Sequence, residues 1–155
     1  MISTIGIVGA GQMGNGIAHV CAAAGYAVRM LDVNQEAVDR GLRTIGANLD
    51  RQVAKGVLSA EQKAQTLARI STGTEYAVFG DCDLVIEAAP ENEALKREVF
   101  RKLCPVLKPD ALIASNTSSI SITRLAAMTD RPASFIGMHF MNPVPIMKQI
   151  GRAHV

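Results

Sequence analysis

Gly9-Ala10-Gly11-Gln12-Met13-Gly14 lies between an apolar run, Ile5-Gly6-Ile7-Val8, and an Ala-rich stretch at helical spacing, and Asp32 ends the next apolar run. Glycines so spaced between a strand and a helix, with an acid about 20 residues on, form a cradle for a dinucleotide. Gly9 lets the chain turn sharply off the strand, Gly11 lets the backbone approach a pyrophosphate, and Gly14 lets the helix pack closely on the strand. The unpaired N–H groups and partial positive charge of the helix start suit a diphosphate. Asp32 can accept hydrogen bonds from an adenosine ribose and would repel a 2′-phosphate, which favours NAD over NADP. Arg29 lies within that run and not beyond its acidic end. Gly9, Gly11, Gln12, Met13, Gly14 and Asp32 are therefore the candidate cofactor residues. A glycine-rich turn of some other α/β protein is the competing reading.

Two polar clusters follow other apolar runs. Ser115-Asn116-Thr117-Ser118-Ser119 is either a solvated turn capping the next helix or a set of hydroxyl and amide groups facing a nicotinamide and its substrate. His139-Phe140-Met141-Asn142-Pro143 ends the last strand-like run. An imidazole titrates near working pH, so His139 can take a proton from an alcohol while hydride leaves the carbon. His19, among Ile17, Ala18 and Val20, reads as structural. A serine nucleophile paired with His139 is the rival chemistry, but no Gly-x-Ser-x-Gly elbow surrounds Ser118.

The elements that must position these groups alternate between short apolar runs and helical stretches, the mark of a parallel sheet. Strands are expected at 3–8, 27–31, 70–72, 84–88, 112–115 and 135–139. Helices are expected at 12–24, from Asn34 to about Lys55, from a Ser59–Gln62 capping box to about Arg69, at 92–104 and at 121–128. The second and third helices exceed what a crossover requires and read as a hairpin projecting from the sheet. Right-handed crossovers give a doubly wound α/β sheet ordered 3-2-1-4-5-6, with the ligand at the carboxyl strand ends. The glycine turn, Asp32, Ala88–Glu91, Ser115–Ser118 and His139–Asn142 all fall at such ends.

With 155 residues, 48% hydrophobic and 19% charged, the chain fits one globular domain. A net charge of +2 with interspersed signs gives no nucleic-acid or membrane surface. Cys21, Cys82 and Cys104 follow no metal or C-x-x-C pattern and read as buried thiols in a reducing compartment. Without a signal-like start or a spanning apolar run, the cytoplasm is the expected location.

From Ile2 to Lys148 the chain resembles the NAD-binding domain of the 3-hydroxyacyl-CoA dehydrogenases. The resemblance rests on Gly-Ala-Gly-Gln-Met-Gly-Asn-Gly-Ile-Ala (9–18), Leu-Val-Ile-Glu-Ala (84–88), Glu91-Asn92, Ser-Asn-Thr-Ser-Ser (115–119) and Gly-Met-His-Phe-Met-Asn-Pro-Val-Pro-Ile-Met-Lys (137–148). It implies oxidation of the 3-hydroxyl of a 3-hydroxyacyl-CoA to a ketone, with NAD reduced, or the reverse. By that resemblance His139 is the catalytic base, Ser118 holds the substrate's 3-oxygen, Asn142 stands beside the base and Asn116 near the nicotinamide. Glu91 becomes a nicotinamide-side cofactor contact. The helical hairpin becomes the arm that touches coenzyme A, with Lys55 as the candidate phosphate partner or, alternatively, a solvated helix-end lysine.

The family pattern continues with a glutamate that would orient the histidine, and spacing puts it at Gly151. By the resemblance the match is expected to stop at Gln149, and the family's helical second domain, which would close the cleft and form most of a homodimer interface, is not expected within these 155 residues. Ile150–Val155 reads in one frame as a sequencing-library adapter (ATC-GGA-AGA-GCA-CAC-GTC), so 149–155 is expected to be a non-native tail. Genuine coding sequence at those codons would reject this. The 155 residues are then expected to bind NAD with little turnover. A non-catalytic NAD-binding module and a Rossmann oxidoreductase for another hydroxy acid remain the alternatives.

Overall fold

The computed structural model describes residues 1–147 and 150–154. The expectations attached to Lys148 and Gln149, and to Val155, lie outside the described residues. Strands β1 (Thr4–Val8), β2 (Ala27–Leu31), β3 (Ile70–Gly73), β4 (Leu84–Glu87), β5 (Leu112–Ser115), β6 (Phe135–Phe140) and β7 (Ile150–His154) form one sheet, ordered β3-β2-β1-β4-β5-β6-β7. The first six run parallel, in the expected order, while β7 pairs antiparallel with β6. β7 is a strand that the sequence reading did not contain. Strand pairing uses backbone groups, so Ile-Gly-Arg-Ala-His can close an edge whatever its origin.

Helices α1 (Gln12–Ala23), α2 (Gln35–Ala54) and α3 (Ala60–Ala68) cover one face, and α4 (Glu93–Leu103) and α5 (Ile122–Ala126) the other. The strands' period of two divides their side chains between these layers. Ile5, Ile7, Val28, Met30, Leu84 and Ile86 meet Ile17, Ile45 and Leu49. Val85 and Ile113 meet Phe79, Val99, Phe100, Leu103 and Leu125 on the other side. Each such buried side chain contributes about 1.5–3 kcal/mol. Asn34 caps α2 by accepting from the Ala37 N–H at 2.9 Å. The Ser59–Gln62 capping box opens α3, as expected. Val38, Gly41, Ile45 and Leu49 bury α2's first turns, whereas 54–57 are exposed, so the hairpin's tip stands clear of the sheet.

Helix ends differ from expectation by small amounts: α1 stops at Ala23, and α4 starts at Glu93 with Asn92 as its cap. α5 is shorter than expected. Short 3-10 turns at Tyr76–Phe79, Cys104–Val106 and Pro132–Ser134 were not anticipated. Cys21 and Cys82 are buried, and burial pushes both thiols up to about 12. Cys104 is only half-buried, a correction to the reading of three buried thiols.

Candidate functional site

The glycine turn owes its shape to two contacts. Gly9 has φ +108°, and a Cβ there would also sit 2.8 Å from the Ala88 carbonyl oxygen. A Cβ on Gly14 would lie 1.9 Å from the Gly9 carbonyl oxygen, so helix and turn can close only over a glycine. Gly11 faces open space, with nothing within 4 Å of a Cβ there. It is also the N-cap of α1, which carries no capping side chain and no acid in its first turn. The N–H groups and partial positive charge of the helix start therefore remain available to an anion beside a backbone that leaves room for one.

Asp32 anchors this turn. Its Oδ2 accepts from the Ala10 N–H at 2.8 Å and its Oδ1 from the Val33 N–H at 2.6 Å. A carboxylate has about four acceptor positions, so it can still receive ribose hydroxyls. Arg29 points elsewhere, pairing with Asp81 at 2.6 Å and donating to Ser71 at 3.1 Å. No arginine competes with Asp32 from within its own strand.

A cleft of about 960 Å³ opens at the carboxyl ends of the strands. It is lined by Gly9, Gly11, Gln12, Met13, Asp32, Glu91, Asn116, Ser118, His139 and Asn142, which brings together all but two of the expected site residues. Gly14 is buried beneath the turn. Lys55 is exposed at the end of α2 and outside this cleft. Tyr76 and Lys102 line the cleft too, with the ammonium 6.0 Å from the ring centre. His139 is half-buried, while Ser118 and Asn142 are exposed. Asn116 Oδ1 accepts from the Phe140 N–H at 2.8 Å, tying the loop after β5 to the strand end beside His139. Gln12 Nε2 donates to Asn142 Oδ1 at 3.3 Å across the rim. In the β6–β7 ladder His139 stands opposite Gly151, and a Cβ at 151 would lie 3.7 Å from the His139 Cβ. The position expected for an orienting carboxylate is thus adjacent to the imidazole, and no side chain fills it.

A buried polar network supports the cleft floor, and sequence reasoning missed its centre. Lys96 is 1% exposed and Glu87 fully buried. Lys96 Nζ contacts Glu87 Oε2 at 2.7 Å, Glu91 Oε1 at 3.2 Å and the Ala89 carbonyl at 3.0 Å. Glu87 also accepts from the Ser115 hydroxyl and the Ala89 N–H, each at 2.7 Å. Glu91 accepts from the hydroxyls of Thr117 and Ser119, each at 2.7 Å. Partial burial opposes the Glu91 charge, but those two hydroxyls and the Lys96 ammonium outweigh it and bring its carboxyl down to about 2. Within Glu-Ala-Leu-Lys-Arg-Glu, Lys96 reads as a solvated helix lysine. The usable signal was an acid, Glu87, ending an otherwise apolar strand that must find a cation when buried.

A second groove, of about 410 Å³, flanks the glycine turn on the other side. It shares Gly11, Gln12 and Asn142 with the main cleft and adds Arg40, Thr44 and Asn48 from α2.

A doubly wound sheet with an uncapped helix start, an open Gly11 and an acid at the end of β2 defines a dinucleotide-binding domain of the Rossmann type. The family profile of the 3-hydroxyacyl-CoA dehydrogenase NAD-binding domain matches residues 4–151, and the chain belongs to that family. NAD is the cofactor of such a domain, and the open Gly11, the bare helix start and Asp32 fit it. The chain is 55% identical over 150 residues to a 3-hydroxybutyryl-CoA dehydrogenase of Bradyrhizobium diazoefficiens, covering 97% of this chain and 51% of that protein. It is 46% identical over 149 residues to a probable 3-hydroxybutyryl-CoA dehydrogenase of Bacillus subtilis, covering 96% of this chain and 52% of the other. The crystal structure of (S)-3-hydroxybutyryl-CoA dehydrogenase from Ralstonia eutropha superimposes with a TM-score of 0.96 at 49% identity, over 98% of this chain and 54% of that one. The chain thus spans about half the length of the curated relatives it matches.

Proposed function

We propose that these residues form the cofactor half of an enzyme that interconverts a 3-hydroxyacyl-CoA and the 3-oxoacyl-CoA. The observation that carries this reading is that His139, Ser118 and Asn142 line the same cleft as the glycine turn and Asp32. Bound NAD supplies a hydride acceptor, or as NADH a hydride donor. His139 takes the proton of the 3-hydroxyl, or returns it in the reduction. Ser118 donates a hydrogen bond to the same oxygen, and Asn142 flanks the imidazole at the rim. Asn116, fixed through the Phe140 N–H, and Glu91, held by Lys96, border the nicotinamide side.

The acyl-CoA partner finds support in α2. Arg40, Thr44, Asn48 and Lys55 recur at intervals of four, four and seven residues, which places them along one helical stripe. The first three line the second groove and Lys55 continues the stripe, where a phosphate of coenzyme A can meet its ammonium. We read the parent protein as a cytoplasmic homodimer. Turnover by the 155 residues alone is low in this account, because Gly151 gives His139 no carboxylate and Ser118 is open to water.

The test joins residues 1–148 to the C-terminal half of the Bradyrhizobium relative and follows NADH oxidation with acetoacetyl-CoA. The joined protein is expected to turn over, and His139→Ala to cost about a hundred- to ten-thousandfold in kcat with NAD affinity kept. An active joined protein indifferent to His139→Ala would overturn the assignment.

A further inference from the structure

Glu87, Lys96 and Glu91 form one connected charge system in which two carboxylates share a single ammonium. The sum is one negative charge, and its exposed end is Glu91, whose side chain is 40% accessible on the cleft wall. Glu87 lies at the other end, fully buried and away from the cleft lining. A buried ion pair is seldom retained for stability alone, because neutral groups of similar shape often serve as well. This pair has a second consequence. Glu87 compensates Lys96, and so leaves the charge of Glu91 uncancelled towards the cleft.

Oxidised and reduced nicotinamide differ by one positive charge on the ring. Resting on the reading of this cleft as an NAD site, we propose that Glu87 is a positioning residue which, acting through Lys96, keeps a net negative charge beside the nicotinamide and biases the cleft towards the oxidised cofactor. Removing the Glu87 charge leaves Lys96 to neutralise Glu91, and this three-residue system then presents no net charge to the ring, while the other charged groups of the cleft, Asp32, Glu98 and Lys102, stay as they were. Oxidised cofactor loses an attraction that reduced cofactor never had.

The measurement is the dissociation constants of NAD+ and NADH, by calorimetry on the folded 155-residue chain and three variants. In Glu87→Gln, which keeps shape and an acceptor, the ratio Kd(NADH)/Kd(NAD+) is expected to fall about three- to tenfold, the size of one unit charge acting across a partly solvated cleft. Glu91→Gln produces the same net charge and is expected to lower the ratio too. In the double variant Glu87→Gln/Lys96→Met both buried charges go, Glu91 alone remains, and the ratio is expected to return to its original value even if both affinities drop. A purely structural network would shift both affinities equally, and a ratio unchanged in all three variants overturns the proposal. If Glu87→Gln does not fold, Glu87→Met, which removes the same charge and leaves Lys96 to neutralise Glu91, takes its place with the same expected fall, and a ratio unchanged in it overturns the proposal. A folded parent chain that binds neither form would sink the cofactor reading itself, and the proposal with it.

Discussion

His19 is 1% exposed in α1, and its Nδ1 has no hydrogen-bond partner among the described residues. Burial pushes the imidazole below its ordinary value of 6.5, with a hydrogen bond that the ring donates to the Gln52 side chain working the other way. The unfolded chain therefore takes up the proton first as pH falls, and the folded state pays for staying neutral. Stability is fully present above about 6.5 and declines below it, by up to about 1.4 kcal/mol per pH unit. Glu91, whose carboxyl is held at about 2 against an ordinary value of 4.5, adds a further loss only below about 4.5 and so does not contribute between pH 7.5 and 5.5. Urea denaturation at pH 7.5 and 5.5 should show a loss of stability for the parent chain that is smaller in His19→Gln. Equal losses in both would contradict the assignment. At this scale the sequence was legible where neighbours reveal burial: His19 and Cys21 lie among apolar residues and are core. It was not legible for Lys96, because a lysine between Leu95 and Arg97 gives no sign that its helix turns it inward to two acids.

The elements that build the site were legible because their ends carry distinct stereochemistry. Asn34, the Ser59–Gln62 box and the glycine turn all do what their types allow. β7 was not legible, since a short segment with Gly151 and Arg152 has no strand periodicity and is held by backbone bonds to β6. The 3-10 turn at 76–79 was equally hidden, although Phe79 in it packs where a Cβ on Gly6 would come within 2.6 Å of its ring. The turn between β1 and α1 separates two glycine roles. Gly14→Ala meets backbone at 1.9 Å and should lower the melting temperature by roughly 5–15 °C. Gly11→Ala meets nothing, so the melting temperature should hold within a few degrees, while NAD affinity is expected to fall if, as proposed, the diphosphate approaches the open space at Gly11. Melting curves and a cofactor titration check both. Equal destabilisation, or an unaltered affinity in Gly11→Ala, would contradict the division.

On the scale of the molecule, the parallel order of β1 to β6 puts segments separated by over a hundred residues at one sheet end, and the winding reverses between β1 and β4 where the cleft lies. Alternating strand and helix patterns were enough to foresee that convergence. The second groove was not foreseen, because Arg40, Thr44 and Asn48 come to line one groove only when α2 packs beside the Asn142–Pro145 loop. Among the described residues no helix is long and apolar enough to cross a membrane.

Calorimetric titration of NAD+ into the folded 155-residue chain, alongside Asp32→Ala, decides whether the glycine turn and Asp32 hold a nicotinamide dinucleotide. One site per chain is expected, with NADP+ bound more weakly. In Asp32→Ala, NAD+ affinity should fall about tenfold, the scale of a charge-assisted hydrogen bond, and the preference over NADP+ should shrink. A folded chain that gives no binding heat with either nicotinamide dinucleotide, or an Asp32→Ala variant with both affinities unchanged, would contradict the account.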